Sequence, residues 1–144
     1  MKRKEFIRQC GFTCLGAAGL GAILESCAVS KHLEAEMIDR KLIVPLSSFV
    51  QKNNTSYKRY VVLRNEELNY PLVAYRNSAN DFTILLLRCS HQYNELNVNG
   101  EVLTCPAHGS EFDATGKVVA GPAGESLRSF PFSVDHENLY IQLA

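Results

Sequence analysis

The chain has 144 residues, 46% of them hydrophobic, with 15 basic and 15 acidic side chains, five Cys and no Trp. That length holds one domain of ordinary size, and the composition excludes a disordered or collagen-like chain. A net charge of zero supplies no electrostatic footprint for nucleic acid, so no nucleic-acid partner is expected.

The first features in chain order are those of export. Lys2, Arg3, Lys4 and Arg8 crowd the N-terminus, no charge appears from Gln9 to Leu24, and Glu25-Ser26-Cys27 follows. A basic start, a short apolar run and a small residue before a break are the three parts of an export signal. The uncharged run would span about 24 Å as a helix, short of the roughly 30 Å hydrocarbon core, which disfavours a packed transmembrane span. Leu24-Glu25-Ser26-Cys27 resembles a bacterial lipobox, whose Cys becomes the lipidated first residue. Arg3-Lys4-Glu5-Phe6-Ile7-Arg8 resembles the twin-arginine export motif, with Lys in place of the second Arg. Residues 1–27 are therefore expected to direct export to the bacterial cell envelope. Lipidation of Cys27, or the signal itself, would then hold the domain on the periplasmic side of the cytoplasmic membrane.

Residues 28–40 (AVSKHLEAEMIDR) are charged, lack strong strand patterning and read as a tether; the domain is expected over 41–144. Strand signals recur within it at Leu42–Val44, Tyr60–Leu63, Leu72–Tyr75 and Phe82–Leu87, separated by Asn- and Asp-rich turns. Asn97 to Leu103 reads as a hairpin turning at Asn99-Gly100, and Thr115 to Val119 as a second turn and strand. Ser129–Val134, a turn at Asp135–Asn138 and Leu139–Leu143 close the chain. Phe130, Phe132 and Tyr140 read as core, while His32 and His136 read as solvated. No long amphipathic helix follows residue 41, so the fold class is all-β, built of short antiparallel strands. No phosphate loop, nucleophile elbow or paired catalytic carboxylates stand out.

The chemistry concentrates in Cys89-Ser90-His91 and Cys105-Pro106-Ala107-His108. Each segment follows a strand-like run and offers one thiol and one imidazole, so two strand-end loops can pool four donors. A Cys89–Cys105 disulfide leaves both histidines unexplained. A structural Cys₂His₂ zinc site usually pairs like with like, C-x₂₋₄-C then H-x₃₋₅-H, and mixed pairs fit it poorly. A [2Fe–2S] cluster with two thiolates on one iron and two imidazoles on the other suits mixed pairs, because facing loops bring like beside like.

The pattern C-x-H, spacer, C-x-x-H resembles that of the Rieske proteins. The likeness runs on through Gly109-Ser110, Phe112-Asp113, Thr115-Gly116-Lys117-Val118-Val119 and Gly121-Pro122-Ala123, and reaches Phe130-Pro131 and Leu139-Tyr140. The resemblance implies a fold of stacked antiparallel sheets with a small cluster-binding subdomain at about 87–124. It implies Cys89, His91, Cys105 and His108 as ligands of one cluster per chain. Ser110 matches the family's donor to a bridging sulfide, beside Gly109, and Pro122 matches the loop that shields the cluster. The disulfide that links the two cluster loops in high-potential members falls at Asn94 and Ala107 and is absent. The tyrosine that hydrogen-bonds a ligand sulfur corresponds to Phe112. A missing hydrogen bond lowers the potential, so a value in the low or middle part of the Rieske range is expected.

Charge counting gives the physical reason for the donor set. Two ferric ions, two sulfides and two thiolates sum to zero, so an added electron meets no net negative charge. Each iron-bound imidazole keeps a nitrogen that can lose a proton, which couples proton to electron transfer. The expected function is one-electron transfer to a redox partner protein or quinol, by a carrier rather than an enzyme. The arsenite oxidase small subunit resembles this arrangement of signal plus domain, so a subunit of a larger oxidoreductase is the alternative. A zinc-stabilised binding module is the alternative of another class.

Overall fold

The computed structural model describes residues 32–144. The export signal and Cys27 lie outside the described residues. Twelve strands follow in order: β1 His32–Glu34, β2 Glu36–Ile38, β3 Lys41–Pro45, β4 Tyr60–Arg64, β5 Leu72–Arg76 and β6 Phe82–Leu86. Next come β7 Asn97–Asn99, β8 Val102–Thr104, β9 Glu111–Asp113, β10 Val118–Ala120, β11 Phe132–Val134 and β12 Asn138–Gln142. A single 3₁₀ turn at Leu46–Phe49 is the one helical element among the described residues.

The strands form three four-stranded sheets, ordered β1-β4-β5-β6, β10-β9-β8-β7 and β11-β12-β3-β2. The first of these is the middle layer. Along β4, β5 and β6, alternate side chains enter two different cores, as the two-residue period of a strand requires. Val61, Leu63, Leu72, Ala74, Phe82 and Ile84 pack with Leu42, Val44, Leu139 and Ile141 of the β11-β12-β3-β2 sheet. Val73, Tyr75 and Leu85 pack with Leu103, Phe112, Cys89 and Cys105 on the other side. The uninterrupted apolar run of β5 is thus explained by burial of both its faces.

The structure departs from the sequence expectations at three points. The tether assigned to 28–40 is part of the fold from His32 onward. Leu33, Ala35 and Met37 turn toward the core while His32, Glu34 and Glu36 face solvent, and the abundance of charge hides this alternation in the sequence. The all-β fold of antiparallel sheets is as expected, with one exception: β1 pairs with β4 in parallel, His32 opposite Val62. The third difference is one of register. Asn99 pairs with Val102, so the hairpin loop is Gly100-Glu101, one residue beyond the Asn-Gly pair. Gly100 at φ 66° supplies the positive φ of the first loop position, and Glu101 needs none, as in a type II′ turn.

The hairpin tip is anchored to the middle layer. The Tyr75 hydroxyl donates to the Gly100 carbonyl at 2.8 Å, and Arg59 pairs with Glu101 at 2.7 Å. Burial raises the Tyr75 pKa, with the charges of Tyr60 and Glu101 adding and Arg59 opposing, so the phenol stays a donor throughout the physiological range. Between β9 and β10, one Asp113 carboxylate oxygen accepts from the Thr115 hydroxyl, the Thr115 N–H and the Lys117 N–H. The hydroxyl bond is the main cause of the lowered Asp113 pKa; partial burial opposes it, and the two N–H bonds and the Lys117 charge add to it.

Gly116 closes the same turn at φ 86°, and a Cβ there would lie 2.9 Å from Leu85 Cδ2. Gly116→Ala is expected to cost about 2–4 kcal/mol, from left-handed strain plus overpacking. Gly100→Ala, with open space around it, should cost only about 1 kcal/mol. Urea unfolding of the two variants checks this ordering. Asp113→Ala should cost about 1 kcal/mol at pH 7 after allowance for solvent screening. Because the folded pKa is depressed, that contribution is present above the unfolded value near 3.9 and is lost as pH falls through the folded one. Unfolding midpoints of wild type and variant should therefore converge in acid.

Candidate metal centre

The two donor loops share one backbone frame. In the first, the Cys89 N–H donates to the Asn94 carbonyl at 2.8 Å and the Tyr93 N–H to the Cys89 carbonyl at 2.9 Å. In the second, the Cys105 N–H donates to the Ser110 carbonyl at 2.8 Å and the Gly109 N–H to the Cys105 carbonyl at 3.0 Å. Each frame needs positive φ at the fourth residue after the cysteine, supplied by Tyr93 (59°) and Gly109 (77°). Gly109 adopts it without strain, whereas an L-residue there costs about 1–2 kcal/mol.

The frames sort the donors by depth. Cys89 and Cys105 are 0% and 2% exposed and are free thiols, which disposes of the disulfide reading. They lie within hydrogen-bond reach of each other. His91 and His108 are exposed, with ring centroids 5.1 Å apart in an edge-to-face arrangement. Burial works to raise the Cys105 pKa, but N–H groups of Ala107 and His108 and the Cys89 thiol outweigh it and lower the value. Those N–H groups point at the sulfur as donors would toward a metal-bound thiolate.

This set fits two metal ions better than one. Sulfur stands beside sulfur at depth and imidazole beside imidazole at the surface. Among the described residues no three His, Cys, Asp or Glu side chains converge on one point. Ser110 adds a further test. It is fully buried, and its Oγ accepts the Ala123 N–H at 3.0 Å, leaving its own proton without an acceptor among the described residues. A buried hydroxyl with a free proton is suited to a cluster sulfide, since an unused donor in that position carries a desolvation cost. Phe112 is fully buried and offers no hydroxyl.

The two donor loops are thus placed by β6, β7, β8 and β9. The Gly121–Ala123 segment supplies the third loop. Pro122 is exposed there; Ala123, the residue that contacts Ser110, is the one packed inside. Ser90 ties the first loop to the third by donating to the Glu125 carbonyl at 2.6 Å. Neither contact has a signature in the sequence, because each joins backbone and hydroxyl groups far apart in the chain.

A family model for the Rieske [2Fe-2S] domain matches residues 41–131. The chain belongs to the Rieske family. Its cofactor is a [2Fe–2S] cluster. The cytochrome b6-f complex iron-sulfur subunit of Synechococcus elongatus is 32% identical over 100 residues, covering 68% of this chain and 55% of that protein. The same subunit from Synechococcus strain WH7803 is 54% identical over 37 residues, covering 26% of this chain and 21% of that protein. The chain therefore spans at most about half the length of these curated relatives. The plasma membrane Rieske protein PetC3 from Synechocystis shares the fold, with TM-score 0.52 and 24% identity over 69% of this chain and 98% of that one. Naphthalene 1,2-dioxygenase superposes with TM-score 0.56 at 16% identity, over 72% of this chain but 26% of that one.

Ser110→Ala is expected to lower the reduction potential by on the order of 60 mV, a tenfold change in the one-electron equilibrium. It should also loosen the third loop by orphaning the Ala123 N–H. Redox titration of wild type and variant, with iron content matched, checks the first effect.

Proposed function

We propose that this Rieske electron-transfer protein binds one iron of its cluster through Cys89 and Cys105 and the other through His91 and His108. The observation that carries the reading is the split in depth: both thiols buried, both imidazoles exposed and mutually adjacent. When bound, the cluster supplies a one-electron couple at a potential raised by its neutral ligands. The protein keeps water from the sulfur side through Phe112, Leu103 and Ala123. His91 and His108 face the partner and can move the proton that accompanies the electron, while Ser110 holds its hydroxyl proton toward the sulfide side.

The potential is assigned to the low or middle part of the roughly −150 to +300 mV Rieske range, because Phe112 gives no hydrogen bond and Asn94 and Ala107 form no disulfide. The carrier is assigned to the periplasmic side of the cytoplasmic membrane, on the strength of the basic N-terminus, the apolar run and Cys27. Among the described residues no helix is long and apolar enough to cross a membrane. A role as subunit of a larger oxidoreductase is favoured by one finding, that its curated relatives are named as subunits of the cytochrome b6-f complex. Arsenite-oxidase-like and quinol-oxidising complexes both fit that role.

Anaerobically purified protein should contain two irons and two acid-labile sulfides per chain. After reduction, its EPR signal should show coupling to two nitrogens that responds to ¹⁵N-histidine labelling. His108→Cys should abolish one of those couplings and lower the potential, since a thiolate adds negative charge. A reduced protein without nitrogen coupling would refute the ligand assignment.

A further inference from the structure

At the start of the first donor loop stands a cation whose situation the cluster does not explain. Arg88 immediately precedes Cys89 and is exposed. Glu95 stands opposite it in an antiparallel bridge, the natural place for a cross-strand ion pair. Glu95 is instead bound by Arg64. The Arg88 guanidinium lies 4.7 Å from the Tyr93 ring centroid and 5.8 Å from that of Tyr70, and no carboxylate among the described residues meets it. Aromatic faces hold the plane of a guanidinium and leave its N–H edges open.

Tyr93 is an independent sign. It sits at positive φ where the matching position of the second loop is Gly109, and its side chain is 59% exposed. The fold bears that backbone strain two residues after His91, and in return the ring stacks on Arg88. Strain of this kind clusters at functional sites. The loop residues Ser90–Asn94 and Pro106–Gly109 carry no Lys, Arg, Asp or Glu, and Glu125 is the one such side chain in Gly121–Glu125. Arg88 is therefore the oriented positive charge adjoining the first donor loop in the chain, and the three loops themselves carry no Lys or Arg.

We propose that Arg88, held between Tyr70 and Tyr93, is the docking cation for the acidic face of a redox partner protein, whose carboxylate its open guanidinium edge receives. This rests on the electron-transfer reading above and names the partner's chemistry. In the transfer itself one electron leaves the partner's reduced centre and one enters this chain's cluster, and no bond forms or breaks. Docking by a single oriented charge acts on encounter and register, so salt should weaken it.

The test uses a plant-type ferredoxin, an acidic protein whose potential near −400 mV lies below the Rieske range. Calorimetric titration of the oxidised ferredoxin into the oxidised full-chain holoprotein reads binding without electron transfer. Arg88→Gln should weaken binding and lower the second-order reduction rate five- to tenfold in low salt, and the difference should vanish as ionic strength rises. Tyr93→Gly, which keeps the charge but frees the guanidinium, should lose several-fold. Oxidation of the reduced protein by tris(phenanthroline)cobalt(III), a cation, should not slow in Arg88→Gln. Unchanged ferredoxin binding in Arg88→Gln, or an equal loss with the cobalt complex, overturns the proposal; an unaffected Tyr93→Gly overturns the part given to the ring. The binding arm needs no electron flow, so its failure is separable from a failure of the ligand assignment, which iron analysis and nitrogen coupling report.

Discussion

The constraint on which the site depends is the pair of backbone hydrogen bonds that each donor loop makes with its own cysteine. They turn Cys89 and Cys105 inward, onto a core shared with Leu103 and Phe112, and leave the following imidazoles outside. Without that division four donors of two kinds would collect around a point, and the chemistry would be that of a single hard-to-reduce ion. With it, sulfur lies in a dry, low-dielectric interior and nitrogen at the surface. The site is thereby polarised along one direction, with its thiols shielded and its imidazoles accessible.

The layers beneath the loops make that division rigid. β5 is buried on both faces, so the sheet that carries β6 into the first donor loop cannot flex without disturbing two cores at once. Tyr75 and Arg59 fasten the far end of the β7–β8 hairpin, whose near end leads into Cys105. Both donor loops thus spring from strands fixed at their opposite ends. A site that changes charge but not geometry during turnover gains from such fixing, since little structure has to rearrange when the electron arrives.

Much of this was legible in the chain itself. The C-x-H and C-x-x-H pairs, the Gly-Ser that follows the second, and the strand runs from Leu42 onward all stand in the sequence because period and spacing are local properties. Three things were not. β1 and β2 are short and carry two charges and a histidine, so their alternation could be recognised only once Ala35 and Leu33 had something to pack against. The hairpin register was misplaced by one residue, because Asn-Gly is a strong turn signal while the pairing of Asn99 with Val102 is decided by Leu103 facing the core. The Ser90–Glu125 and Ser110–Ala123 contacts join groups 35 and 13 residues apart, and nothing in either side chain's neighbourhood announces its acceptor or donor.

The double burial of β5 also bears on how the molecule comes apart. A β-protein whose two cores met only at a seam could lose one and keep the other, and would melt in stages. Here the strand that lines one core is, on its other face, the wall of the second. Damage that begins at the thiols therefore cannot be confined to the outer layer: once Val73 and Tyr75 lose their neighbours, Leu72 and Ala74 lose their support with them. A shared wall of this kind favours loss of the two cores together, in one transition, over a melt in stages.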